Sequence, residues 1–172
     1  MGLVCAGAAC SPNAFDVVLT GQTTIHGDPA SAGAPLTRIP AIGSFASIDF
    51  GASEEFRQYQ ATKDAVQSIK VTAIHVKVVA PGTQGFDFLD NLSFFASNGS
   101  TEVMVAGKAD VAALGLGPPN PTLALDVNPT AELRDFLGAP SVSISAQGSG
   151  REPAQDTTLE ATVKLRVVLK VL

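Results

Sequence analysis

Residues able to do acid–base, nucleophilic or metal chemistry are few in this chain of 172 residues. The two histidines are His26, beside Gly27-Asp28, and His75, inside an aliphatic run. Either imidazole could serve as a base or a ligand. Neither has a partner at motif spacing, so both read as solvated strand residues. Ser149 sits in Gln147-Gly148-Ser149-Gly150-Arg151. A serine hydrolase needs its nucleophile on a strained elbow framed as Gly-x-Ser-x-Gly, with a matching base. That frame is absent, and the segment reads as a loop before the last strand. Gly115-Leu116-Gly117-Pro118-Pro119 is too short and too proline-rich to cradle phosphate. Glycosidase chemistry needs two carboxyls about 5 to 9 Å apart across a cleft. Glu54 and Glu55 are adjacent on a predicted helix and would point apart, and nothing sets Asp87 and Asp90 above surface acids.

The best oxygen cluster is Gly85-Phe86-Asp87-Phe88-Leu89-Asp90-Asn91. Phe86 and Phe88 share a face, which places Asp87 outward, with Asp90 and Asn91 at a strand entrance. Loops at the ends of β-sandwiches can hold Ca²⁺, which takes about six to eight oxygens. Asp87, Asp90 and Asn91 supply about three of those, so Asp110 or Asp126 would have to complete the set. Calcium is the one cofactor the sequence suggests. The plainer reading is that Asp87 and Asp90 solvate the segment and cap its turns. No catalytic residue is assigned, and the chain reads as a non-enzyme.

Charged residues make up only 16% of the chain, and the net charge is −5. The Lys and Arg side chains are scattered except for Lys164, Arg166 and Lys170, so a phosphate backbone is disfavoured as a partner. No stretch is long and apolar enough to span a bilayer. Sixteen Gly and eleven Pro supply the many turns of an all-β chain.

The elements follow from periodicity. Leu159, Ala161, Val163, Leu165, Val167, Leu169 and Val171 alternate with mostly polar residues, which is a strand with one buried face. Asn98-Gly99 suits a two-residue type I′ hairpin. Closed there, it would set Phe94 against Val103 and Leu92 against Val105. A strand over Ser68–Val79 changes phase between Val71 and Ile74, predicting a bulge near Thr72-Ala73. Further strands are predicted over Phe15–His26, Phe45–Phe50, Thr122–Val127 and Ser141–Gln147. Two short helices are expected. One starts from Ser53 as cap. The other runs from Asn128 through Leu133, Phe136 and Leu137 to an ending at Gly138. Asp28–Pro40 and Gly115–Pro121 read as long loops. These elements predict an all-β fold, a two-sheet antiparallel β-sandwich, immunoglobulin-like or jelly-roll, with one or two short helices.

The opening Gly2-Leu3-Val4-Cys5-Ala6-Gly7-Ala8-Ala9-Cys10 resembles the tail of a bacterial lipoprotein signal, in which the cysteine after small residues is lipidated. That likeness would make Cys10 a lipid anchor. A disulfide between Cys5 and Cys10 is the second reading, and two plain small apolar residues are the third. The segment SIKVTAIHVKVVAPGTQGFDFLDNLSFFAS, followed by VMVAGKADV, resembles a pattern in uncharacterised bacterial exported proteins and lipoproteins. That resemblance implies a β-sandwich at the cell envelope and carries no functional residues.

The expected organisation is a leader or anchor over 1–14 and a single sandwich domain over 15–172. The expected role is a non-enzymatic exported module that binds or scaffolds a protein or glycan at the envelope, presented on loops such as Asp28–Ile42 and Gly82–Gly85. The alternative is a subunit that assembles with itself into a fibre, sheath or coat, adding strands at open sheet edges. A hydrolase is the remaining class.

Overall fold

The computed structural model describes residues 13–36 and 38–170. Among them the strands run β1 (Ala14–Ile25), β2 (Pro35–Leu36), β3 (Val66–Ala80), β4 (Leu89–Ser97), β5 (Glu102–Lys108), β6 (Thr122–Ala124), β7 (Asp126–Val127), β8 (Ser143–Arg151) and β9 (Thr157–Leu169). One helix, α1 (Glu54–Gln58), and several 3-10 turns connect them. The first sheet has the order β1-β9-β3-β6 and the second β2-β8-β4-β5-β7.

The pairing is nested. β1 lies against β9, β2 against β8, β3 against β6 and β4 against β5, all antiparallel. The chain is a long hairpin rolled onto itself, which is the jelly-roll form of the two-sheet sandwich. An immunoglobulin-like sandwich would set its first strand beside its second, so that option is set aside.

The period-two reading of the last strand holds where it can be seen. Leu159, Ala161, Val163, Leu165 and Val167 are each at most 3% exposed, and Val171 lies outside the described residues. The bulge in β3 falls where the phase change put it, between Val71 and Ala73. One extra residue there returns Ile74, Val76 and Val78 to the buried face already occupied by Ile69 and Val71.

Several expectations are corrected. The hairpin closes one residue later than predicted, with Ser97 opposite Glu102 and Phe95 opposite Met104. A shift between Phe94 and Phe95 then sets Phe94 opposite Ala106 and Leu92 opposite Lys108. The cause is Asn98, whose side-chain oxygen accepts the N–H groups of Ser100 and Thr101 at 3.0 and 2.8 Å. Asn98 therefore opens the turn, and Gly99, with φ +88°, takes its first central position, as in a type II′ turn.

No strand forms over Phe45–Phe50. That stretch makes 3-10 turns at Gly43–Phe45 and Phe50–Ala52 and one bridge between Ile48 and Val142. Its side chains instead plug the side of the sandwich between β1 and β8. α1 follows, and the Ser53 hydroxyl caps it by accepting the Phe56 N–H at 3.2 Å. Tyr59 stacks on Phe15 at 4.6 Å between ring centroids, and Phe56 meets Phe15 edge-on at 5.5 Å.

The helix expected from Asn128 to Gly138 shrinks to a 3-10 turn over Arg134–Gly138. Asn128 caps only a local turn, accepting the Thr130 N–H at 3.1 Å. Glu132 and Leu133 are bonded to the open edge of β3, and that interaction outweighs a short helix. Thr122–Val127 is not one strand. It changes sheet at Leu125, as β6 and then β7. Ser149 lies on strand β8 rather than in a loop, and the long loop from Asp28 is interrupted by β2.

The space between the sheets is filled. Phe45, Phe86, Phe94, Leu89, Leu92 and Leu133 are among the side chains under 2% exposed. Among the described residues the only buried polar side chains are Thr23 and Thr157. Both hydroxyls donate to backbone carbonyls, Thr23 to Pro40 and Ala41 and Thr157 to Gln155. A ligand cavity needs convergent polar groups, and this interior offers none among the described residues.

Candidate functional site

With the interior packed, what the molecule offers a partner is its faces and edges. The strands of the second sheet send alternate side chains outward. From β4 these are Asn91, Ser93, Phe95 and Ser97, and from β8 Ser149, Gln147, Ser145 and Ser143 directly opposite them. Met104 of β5 stands opposite Phe95 and is 45% exposed. Glu102, Arg151 and the Lys108–Asp126 ion pair, at 3.0 Å, lie at the rim. The result is a broad field of hydroxyls and amides around one aromatic ring and one thioether. Asn91 Nδ2 donates to Ser149 Oγ across this field at 2.9 Å. At its β5–β7 side is a groove of about 480 Å³ lined by Asn91, Ser93, Met104, Lys108, Asp126 and Asn128.

The outer face of the first sheet is the electrostatic opposite. Asp16 on β1 accepts Lys164 at 3.0 Å and Arg166 at 3.1 Å from β9. The Lys164 hydrogen bond chiefly holds its carboxyl below the usual aspartate range, with help from Arg166 and against a little desolvation. Lys70 stands opposite Arg166, and Lys77 opposite Glu160. This face is cationic and internally paired.

The sequence-selected residues do not converge. Asp87 sits in the turn before β4, where its Oδ1 accepts Gln84 Nε2 at 3.2 Å. Asp90 and Asn91 fall at an irregularity at the start of β4. The Asp90 carbonyl accepts the Val111 N–H at 2.8 Å, while the Asn91 amide is committed to Ser149. Asp126 is paired with Lys108. Among the described residues no three His, Cys, Asp or Glu side chains lie close enough to hold a metal. Cys5 and Cys10 lie outside the described residues. Among the described residues no helix is long and apolar enough to cross a membrane.

His75 is exposed on β3, opposite Thr162 and Ala124. Ser149 has Asn91 rather than an imidazole as its hydrogen-bond partner. Glu54 and Glu55 occupy the first turn of α1. His26 has a partner the sequence did not suggest, since its Nδ1 lies 3.4 Å from Asp156 Oδ1. Asp156 also accepts the Gly27 N–H at 3.0 Å. That backbone bond chiefly lowers its pKa, with His26 adding to it against slight desolvation. This exposed pair clips the end of β1 to the turn before β9, beside a groove of about 450 Å³ that also has Arg38 and Glu152 on its walls. The uncharged face leaves one trace in the sequence, the alternation of Ser143, Ser145, Gln147 and Ser149 through SVSISAQGSG, but only the pairing with β4 makes it a face.

No family model matches the chain, and no curated protein matches it. Among solved structures it is similar to a decameric BFDV capsid protein, at 10% identity over 92% of this chain and 98% of that chain, with a TM-score of 0.47. It is also similar to a 60-mer BFDV capsid protein, at 12% identity over 91% of this chain and 92% of that chain, with a TM-score of 0.45. A mud crab tombus-like virus structure is similar at 11% identity over 92% of this chain and 90% of that chain, with a TM-score of 0.28. Likenesses this distant leave the function to be argued from the chain's own geometry.

Proposed function

We propose that this protein is a non-enzymatic structural subunit that assembles with copies of itself. The observation that carries the proposal is the uncharged outer face of the second sheet. Soluble domains ordinarily keep about a quarter or more of their surface charged. Interface cores, by contrast, are depleted of charge and enriched in aromatic residues and Met. Phe95 and Met104 stand side by side at the centre of such a field, and the charges are at its rim. A face without net sign can meet its own copy without repulsion.

The test is to insert charge at the centre. Ser145→Lys and Met104→Lys should lower the sedimentation coefficient reached at high protein concentration, while Asp28→Lys, in a remote loop, should not. Wild-type protein that stays monomeric at millimolar concentration would overturn the proposal.

A binding module displayed at the cell envelope is the second reading. The observation in its favour is the groove beside Met104, whose amides, hydroxyl and charged groups suit a polyol such as a glycan. Glycan binding that is lost in Asn91→Ala and Asp126→Ala, by a monomeric protein, would favour it over assembly.

A further inference from the structure

Among the described residues most of the sheet edges are covered by another segment. The long edge of β3 is closed by β6 and by Leu125, whose N–H donates to the Ile74 carbonyl at 3.0 Å, and by Glu132 and Leu133, which bond both backbone groups of Ile69. On β5 the Asn128 N–H and Nδ2 donate to the Val105 and Met104 carbonyls at 2.8 and 3.0 Å. β8 has β2 at one end and the Ile48 bridge at the other, and between them Ile39 sits against Gly148.

The first half of β1 differs. Leu169 donates to the Asn13 carbonyl at 2.7 Å, and the register continues unbroken from Ala14–Val168 to Ile25–Thr157. In an antiparallel pair, alternate residues turn both backbone groups to the neighbour. Asn13, Phe15, Val17 and Leu19 therefore face β9, while Ala14, Asp16, Val18 and Thr20 turn their N–H and C=O groups away from the sheet. The Ser44 hydroxyl meets the Thr20 carbonyl at 3.2 Å, which fits that parity. Among the described residues, nothing bonds the outward backbone groups of Ala14, Asp16 or Val18.

Natural edges are blunted by Lys, Pro or a bulge, and β1 contains none of these. Its one charge, Asp16, is already met by Lys164 and Arg166 of the same chain. On its outer face Val18 is 56% exposed, more than Met104 or Leu114.

We infer that β1 pairs antiparallel with β1 of a second copy across a two-fold axis, joining two first sheets into one. This rests on the assembly reading and names a contact for it. Residues directly opposite in an antiparallel pair share a face, so the register must match residues of equal parity. Asp16 opposite Asp16 would set like charges together. Val18 opposite Val18 hides the exposed side chain against its mate and sets Asp16 opposite Thr20, where the copy's Asp16 N–H takes the Thr20 carbonyl from the Ser44 hydroxyl. The occupant is a copy because the edge carries no uncompensated charge and no guard against its own kind.

The experiment is hydrogen exchange on the full chain across a concentration series, together with sedimentation of Val18→Lys. The amides of Asp16 and Val18 should become protected as concentration rises, and Val18→Lys should weaken dimerisation at least tenfold. Exchange of these amides at unprotected rates at every concentration would overturn the inference. So would protection already complete in dilute monomer, which would mean that another part of the same chain covers the edge. Assembly that persists unchanged in Val18→Lys but fails in Ser145→Lys would sink the β1 contact and leave the assembly reading standing. A chain that never assembles would sink both.

Discussion

Glu132 Oε1 accepts the Ile69 backbone N–H at 2.7 Å, and the neighbouring Leu133 N–H donates to the Ile69 carbonyl at 2.9 Å. Two consecutive residues thus act as a substitute strand for the stretch of β3 that β6 does not reach. The second Glu132 oxygen accepts the Ser68 hydroxyl at 2.6 Å. Burial alone would raise this carboxyl, but the Ser68, Ile69 and Arg134 donors and the nearby Lys70 charge together hold it below the ordinary value of 4.5.

Glu132→Ala should therefore destabilise the fold by about 1 to 2 kcal/mol, since charge-assisted hydrogen bonds at a half-wet site are worth roughly that. The sign of the pH effect is fixed by a depressed carboxylate. Its contribution is complete above the unfolded pKa and is lost as pH falls through the folded one. The stability gap between wild type and Glu132→Gln, followed by urea melts, should shrink as pH drops from about 5 to about 3. A gap that widens on acidification would contradict the assignment.

Gly150 supports the second prediction. A Cβ there would overlap the Phe88 carbonyl oxygen and lie 2.9 Å from the Leu89 Cα. Both are backbone atoms of the strand start that β8 must approach. Gly150→Ala should cost about 3 kcal/mol. Gly43→Ala, where a Cβ meets nothing within 4 Å, should change the melting temperature far less.

The hairpin supplies a third. Asn98→Ala removes the oxygen that gathers the Ser100 and Thr101 N–H groups, at a cost of about 1 kcal/mol. Gly99→Ala forces a side chain into positive φ and should cost a similar amount. Backbone NMR of Asn98→Ala should show the pairing loosen near Ser97 and Glu102 while β9 is unmoved. Equal loosening in both would contradict a local role.

What was legible in the sequence was whatever depended on side-chain alternation alone. β9, β1 and the bulged β3 were placed because aliphatic spacing fixes which face is buried, whichever neighbour lies beside it. The failures involve partners that alternation does not reveal. The stretch around Leu133 carries a helix pattern, yet the open edge of a strand more than sixty positions earlier claims its N–H. Phe45 and Phe50 look like strand residues, but they fill a gap created only when β1 and β8 end up on the same side of the sandwich. The Asn98-Gly99 pair marks a turn in the sequence, but whether Asn98 caps the turn or sits inside it depends on its side-chain oxygen rather than on composition. The candidate face stayed hidden because serines that alternate with aliphatics look like ordinary solvated strand positions until β4 and β8 are set side by side.

The most direct test of the assembly account is sedimentation velocity of the full chain from micromolar to millimolar concentration, with Ser145→Lys run in parallel. The account predicts a sedimentation coefficient that climbs with concentration for the wild type and stays near the monomer value for the variant. A wild-type coefficient that remains monomeric throughout would contradict it.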